Sequence, residues 1–410
     1  MLTWYLRQYG WDFEVLSPSI ALQQQVWIDP KASSYFPQDA TVVEAKPMSL
    51  SSVLRRLGVR SLSWQALLPM FSSGNKLLRK KHFDLVFFST TAFNFFCLGR
   101  LWLLRFRVPY VLDFQDPWFR NEPSIVTSKH VWKARFGNFI SSFLEGYAVN
   151  KAAGLVSVSP HYLSTLKQRY PKALPFRKGA VATVPFGALA RDFEGSVATD
   201  RPDGNVPSLT IAYVGAGGVV MERSFDRLCR GLARLRKSHP EMMQLFRIRL
   251  TGTDGGWTEG GQKILKNRAD ALGIGDLVIE DPAIIPYSSA TTIANAADGL
   301  LVLGVDEPAY MASKLFSYAS LGKPLLACIH GKSQMNDHFS RFPELGIAIH
   351  FDQAEADELK DDLKILDFLN QVRSGHRFRR TELLKKHSAS AMTRELVDLF
   401  GKCVTQDGCA

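Results

Sequence analysis

The 410-residue chain lacks the signatures on which many enzyme classes rest. It has no DxD, no HExxH and no histidine pair at helical metal-ligand spacing, so a metal site of those kinds has nothing to stand on. It has neither a GxSxG elbow nor a Walker loop. Its five cysteines, Cys97, Cys229, Cys328, Cys403 and Cys409, form no CxxC pair, and an odd number does not suit a disulfide framework. They read as reduced thiols in a cytosolic protein. Long apolar runs are also missing. The stretch from Leu85 to Gly99 falls short of the ~20 residues that a membrane-spanning helix needs, and Arg100 and Arg105 cut off its continuation. The opening MLTWYLRQYGWDFEVL has no basic start and no small-residue cleavage site, so no secretory signal is read there. The expectation is a soluble, cytoplasmic chain.

Hydrophobic residues make up 46% and charged residues 22%, the composition of a globular protein and not of a disordered one. The length allows two α/β domains, each with its own core. The net charge of +11 is unevenly placed. Residues 1–186 hold 23 Lys and Arg against 10 Asp and Glu, whereas residues 187–410 hold 27 against 29. Such a basic half can face an anionic membrane or a phosphorylated substrate, or be a merely solvated surface. Nucleic acid is disfavoured as a partner, because no binding motif of the recognised types is present.

Along the chain, Trp4–Tyr9 is helical in pattern and stops at Gly10. Short strands are expected at Phe13–Leu16 and Thr41–Glu44, and basic helices over 50–81. A regular alternation follows, with strands at Asp84–Ser89, Tyr110–Phe114, Leu155–Ser159 and Ala182–Val184. Helices are expected between them at Phe95–Leu104, 128–150 and His161–Tyr170. Continuous apolar strands alternating with helices indicate a parallel sheet covered on both faces. The Gly-, Asp- and Pro-rich stretch 187–207 reads as a linker, separating a first domain over 1–186 from a second over 208–387.

The second alternation has strands at Leu209–Val214, Phe246–Thr251, Leu277–Glu280, Gly299–Leu303, Pro324–Cys328 and Ile347–His350. Helices are expected at Ser224–Arg236, 260–272, Ser288–Ala296 and Lys314–Leu321, with a helical tail from about 376 to 402. Its final helix, about 388–402, is expected to pack back on the first domain. The fold class is α/β, with two Rossmann-like, doubly wound parallel-sheet domains.

Three segments carry chemistry. Asp113-Phe114-Gln115-Asp116-Pro117-Trp118 lies at the carboxyl end of a buried strand, the edge where open α/β sheets bind ligands. Two carboxylates and an amide there can orient a hydroxyl or act as a base; alternatively, the Asp caps a turn beside a proline. Gly215-Ala216-Gly217-Gly218 joins a strand to a helix, where backbone N–H groups can approach a phosphate or simply form a turn. Arg223 can add a charge-assisted contact to a diphosphate. The third glycine of a GxGxxG fingerprint is missing and no acidic residue clearly follows the next strand, which disfavours a nicotinamide cofactor. Ser313 and Lys314 open a helix that Gly322 and Pro324 close, and an anion is favoured at such an opening.

Taken in order, these segments resemble bacterial glycosyltransferases of family four, which have the GT-B fold. The resemblance runs through Tyr5–Leu16, the DFQDPW segment with Gln115 where the family has Arg, Ser157–Ser159 with Leu163–Tyr170, and Val184–Gly187. Lys314–Pro324, which looks like KLFEYLAxGKP, is its most specific piece. It implies two Rossmann-like domains facing across a cleft. A nucleotide-diphosphate sugar would be held mainly by the second and a glycan or lipid-linked acceptor by the first. Transfer would proceed with retention and without metal or other cofactor. Carried over by position, Gln115 and Asp116 would face the reacting centre, with Asp113 and Ser159 on the acceptor side. Gly215, Gly217, Arg223, Thr251, Gly252, Ser313, Lys314 and Ser317 would line the donor site.

Two departures stand out. The family's opening strand and Gly-rich loop have no counterpart before Trp4, and its ribose-binding glutamate and earlier partner fall at Ser317 and Ala309. A serine cannot supply a carboxylate's two-point grip on a diol. The leading reading is a glycosyltransferase acting on a cell-surface polysaccharide or glycolipid precursor, peripheral on the inner face of the plasma membrane. The others are an inactive GT-B scaffold partnering an active transferase and a sugar-nucleotide epimerase.

Overall fold

In the computed structural model the described residues are 2–22, 36–56, 61–118, 131–189, 209–254 and 261–405. They form two compact units, one of residues up to 185 together with those from 392 onward, the other of residues 186–391.

The first unit begins with two 3-10 turns, Leu2–Trp4 and Leu6–Tyr9, ended by Gly10 in the left-handed region. One helix over Trp4–Tyr9 was expected from the pattern; so short a segment cannot sustain α-helical turns without more of them to propagate. Strand β1 (Glu14–Pro18) pairs in parallel with β2 (Thr41–Ala45) as a separate two-stranded sheet. The basic segment that follows forms α1 (Ser49–Arg56), α2 (Leu62–Gln65) and α3 (Leu67–Lys80).

The main sheet of this unit is parallel and runs β3 (Val86–Ser89), β4 (Tyr110–Phe114), β5 (Gly154–Ser157), β6 (Val181–Thr183) in spatial order. Its connections are α4 (Phe96–Phe106), α5 (Val131–Val149), and α6 (Pro160–Arg169) followed by α7 (Leu174–Lys178). The period-2 alternation of β4 sorts the two faces. Tyr110, Leu112 and Phe114 pack with Phe96, Leu98 and Trp102 of α4, Ala148 and Val149 of α5, and Leu163 and Leu166 of α6. Val111 points the other way, with Val156, and meets Leu6 together with Leu396, Leu399, Phe400 and Cys403 of the C-terminal helix. Every connecting helix therefore covers one face, as right-handed crossovers between successive neighbours require, and the chain's last helix covers the other.

The second unit is a six-stranded parallel sheet. In chain order it runs β7 (Leu209–Val214), α8 (Glu222–Ser238), α9 (Pro240–Gln244), β8 (Phe246–Thr251), α10 (Ile264–Ala271), β9 (Val278–Asp281), α11 (Tyr287–Ala296) and β10 (Gly299–Leu303). It continues with α12 (Leu315–Ser320), β11 (Leu325–Ile329), α13 (Met335–Arg341), β12 (Ile347–His350), α14 (Glu355–Arg373) and α15 (Thr381–His387), and the chain ends on α16 (Ala389–Thr405), which from Met392 onward belongs to the first unit. The spatial order is β9-β8-β7-β10-β11-β12, the doubly wound Rossmann order, which reverses direction between β7 and β10.

The tail is not helical throughout. Residues 376–380 are irregular because tertiary bonds claim them. The Phe378 N–H donates to Gly322 O, and the buried Arg380 guanidinium donates to the carbonyls of Ala319, Lys323 and Glu344. The α15–α16 boundary falls at Ser388, whose extended backbone bridges Ala188 in parallel. Beyond Leu189 the expected linker lies outside the described residues. Among the described residues no helix is long and apolar enough to cross a membrane.

Candidate functional site

Ligands of doubly wound sheets bind outside the carboxyl ends of the strands where the order reverses. In the second unit that point lies beyond Val214 of β7 and Leu303 of β10. The chain leaves β7 through Gly215, at φ 132°, a conformation that side-chain-bearing residues rarely adopt. The turn is fixed from β8: Gly215 N–H donates to Thr251 O at 2.8 Å, and Gly217 N–H to Thr253 O at 2.9 Å. Gly252, at φ 78°, passes its own N–H to Asp281 O. Glycine is needed at position 215 for a second reason, because a Cβ there would run into the Lys314 ammonium.

Lys314 stands just before α12, a helix of six residues. Part of its surface is exposed, yet its ammonium is enclosed. Nζ donates to Val214 O at 2.7 Å and lies 4.2 Å from the centre of the Tyr213 ring. Burial, with no carboxylate to offset it, draws the ammonium down to about 7. Four residues on, on the same side of the helix, Tyr318 accepts the Val214 N–H at 3.0 Å, and burial pushes its phenol up. The spacing of Lys314 and Tyr318 was the available signal for Tyr318 as a site residue, and the sequence reading missed it. Ser313 is exposed and Ser317 half-buried.

Arg223, at the start of α8, forms an ion pair with Asp306 beyond β10 and lies over the Phe351 ring. Asp306 approaches His330, whose Nδ1 is 3.2 Å from Asp352. These partners across the switch point were not foreseen, since the neighbour relation of β7 and β10 is a property of strand order. Thr251 is 1% exposed, and its Oγ1 has no hydrogen-bond partner. A buried, unpaired hydroxyl costs about 1–3 kcal/mol. Thr251→Val is accordingly expected to raise the melting temperature of the ligand-free protein. If the hydroxyl is kept for a ligand, the same variant loses donor affinity in a binding titration.

In the first unit, Asp113 ends β4 and is 8% exposed. Ser89 Oγ donates to its Oδ2 at 3.0 Å and Gln115 Nε2 at 2.9 Å. Burial pushes the Asp113 carboxyl up, against those two hydrogen bonds. Gln115 Nε2 also donates to Ser89 Oγ, so its amide is turned back onto the strand ends. Asp116 is exposed. Ser159 is fully buried before α6 and donates its N–H to Ser157 Oγ at 3.3 Å. Asp113, Gln115 and Ser89 therefore form one cluster, with Asp116 following directly in the chain. Gly215, Gly217, Thr251 and Lys314 form another, in the second unit.

No family model matches the chain, and no curated protein matches it. Solved structures do. A structure of trehalose-6-phosphate from E. coli bound with UDP-2-fluoro glucose superposes with a TM-score of 0.56 at 11% identity, covering 94% of this chain and 91% of that one. The α,α-trehalose 6-phosphate synthase of Burkholderia multivorans gives 0.54 at 10% identity, over 85% and 78%. The N-terminal domain of the Candida albicans trehalose-6-phosphate phosphatase gives 0.53 at 10% identity, over 90% and 85%. Likeness at such low identity over nearly whole chains is a likeness of fold. The chain thus has the GT-B fold, with two Rossmann-like α/β units.

Proposed function

We propose that the protein is a glycosyltransferase whose second unit binds a nucleotide-diphosphate sugar at the β7/β10 switch point. The observation that carries this reading is the Lys314 ammonium set against the Gly215 turn without a carboxylate. A cation held there is matched by an anion, and a departing nucleoside diphosphate gains negative charge as transfer proceeds. The turn at Gly215 and Gly217 has no side chains to bar close approach of a ligand, and Arg223 is close by in sequence. Asp113, Gln115 and Asp116 at the carboxyl end of β4 are the acceptor-side and reacting-centre candidates. The acceptor class we propose is a cell-surface polysaccharide or glycolipid precursor, used at the cytoplasmic face of the membrane, with retention and without metal.

An inactive scaffold is the second reading, favoured by Ser317 and the buried Ala309, which stand where the resembled family has carboxylates. A thermal-shift screen with UDP-, GDP-, ADP- and dTDP-sugars separates the two. A ligand at ~100 times its dissociation constant stabilises the fold by about 2.7 kcal/mol. The expected outcome is a raised melting temperature with one nucleotide family, and release of that nucleoside diphosphate when acceptor is added. A shift without turnover over a panel of acceptors supports the scaffold, and no shift with any nucleotide sugar overturns the donor site.

A further inference from the structure

The helical face of the first unit's main sheet has an unusual surface. Since α4, α5, α6 and α7 all lie on that face, their solvent sides form one layer. Residues 96–107 and 131–180, which hold the four helices, contain eleven Lys and Arg and a single acidic residue. That residue, Glu145, is 1% exposed and bonded to Arg169 at 2.9 Å. The outer surface of the described layer therefore shows cations and no carboxylate. Arg105, Arg107, Arg135, Lys151, Lys167, Lys172, Arg177 and Lys178 are all exposed. Among them stand large apolar side chains that the fold does not cover. Phe139 and Phe143, one turn apart on α5, are 72% and 70% exposed, and Leu104 on α4 is 71% exposed.

Cations in the last turns of α4, α6 and α7 suit the helix dipoles. That does not account for two phenylalanines on the outward stripe of α5, in line with Arg135, where a solvated helix carries polar groups. A surface that is at once apolar and uniformly cationic is complementary to an interface with acyl chains beneath and anionic headgroups above. We infer that this face is a membrane-docking surface, on which Phe139, Phe143 and Leu104 insert at the headgroup–acyl boundary of an anionic bilayer while the surrounding lysines and arginines hold the lipid phosphates. The inference deepens the membrane placement proposed above and is independent of the donor site, so vesicle binding and nucleotide-sugar binding fail separately.

The test is flotation of the full chain with phosphatidylcholine vesicles that contain or lack phosphatidylglycerol. Binding is expected only with the anionic lipid and is expected to weaken as salt rises. Each exposed cation reversed, as in Arg105→Glu or Lys167→Glu, should reduce partitioning by about fivefold or more. The double variant Phe139→Ser with Phe143→Ser should reduce it about tenfold or more, with unchanged nucleotide-sugar binding. Its circular dichroism and melting temperature should match those of the parent, because the replaced side chains are exposed. Equal flotation on neutral and anionic vesicles overturns the proposal, as does a double-serine variant that floats like the parent. A parent that does not float but is a dimer, dissociated by the double-serine change, assigns the face to a second copy. Tighter binding to single-stranded RNA than to anionic vesicles at the same salt assigns it to nucleic acid.

Discussion

Lys314→Met is expected to make the ligand-free protein more stable and to destroy its donor binding. Lysine and methionine have similar length, so the change removes an enclosed cation and leaves packing nearly intact. The ammonium sits against Val214 O and the Tyr213 ring, and burial holds it far below its ordinary value. A lysine lowered in the folded state weakens the fold over the window in which the unfolded chain is protonated. The penalty is absent above the unfolded value of 10.5, grows as the pH falls, and is complete below about 7. Removing the charge should recover about 2 kcal/mol or more at neutral pH, read as a higher urea midpoint.

Activity should move in the opposite direction, with kcat/KM falling about 10²–10³-fold, the cost of losing one group aimed at developing charge. An anion bound beside Lys314 restores its proton, so donor binding above pH 7 takes up a proton and weakens as the pH rises. Calorimetry in buffers of different ionisation enthalpy reads that proton directly. A variant that is destabilised and still binds the nucleotide sugar would sink this account.

Asp362→Ala is expected to give the largest loss of stability. Arg227 on α8 is wholly buried and donates to Glu358 O at 2.7 Å and to Asp362 Oδ1 at 3.3 Å. Arg230 bonds Glu358, and Arg234 bonds both Glu358 and Asp362. Removing Asp362 leaves a buried guanidinium with Glu358 as its remaining acidic neighbour, 3.9 Å from its Nε. The expected cost is about 3–5 kcal/mol. Arg227→Met should cost less, because Glu358 and Asp362 keep Arg230 and Arg234. Guanidinium chloride titrations of the two variants check this order, and equal losses would show that the network is worth no more than its packing.

Leu209–Val214, Phe246–Thr251, Gly299–Leu303, Ile347–His350 and Tyr110–Phe114 occur at the residues where the sequence places them. In Gly299–Leu303 burial on both faces leaves an uninterrupted apolar run, whereas in Phe246–Thr251 Arg247 and Arg249 alternate with the buried Phe246, Ile248 and Leu250. Helix α14 was missed for want of such a pattern. Its first half, EADELKDDLK, shows no clear apolar stripe, and it is held on α8 by ion pairs whose partners lie about 130 residues away in sequence. Within the second-unit site, Gly215, Thr251 and Lys314 were found from strand-end position and resemblance, and the structure joins them. Asp306, His330 and Tyr318 were not found, since they enter through strand order and through a tyrosine that reads as core. Ser159, expected on the acceptor side, is buried behind its strand end, which strand-end position alone does not distinguish.

The bridge between Ala188 and Ser388 has a consequence for how the chain is organised as a whole. Ala188 N–H donates to His387 O, and Ala389 N–H to Ala188 O, so the chain enters and leaves residues 186–391 at one place. The second unit is therefore a parenthesis in the first. The helix that completes the core around Val111 and Val156 is encoded after that insert, yet its attachment is set by the span of a single backbone ladder. The entropic cost of closing the chain on itself is then nearly indifferent to the insert's length. A module with paired ends of this kind can be exchanged, lengthened or shortened during evolution without changing the distance the surrounding unit must bridge.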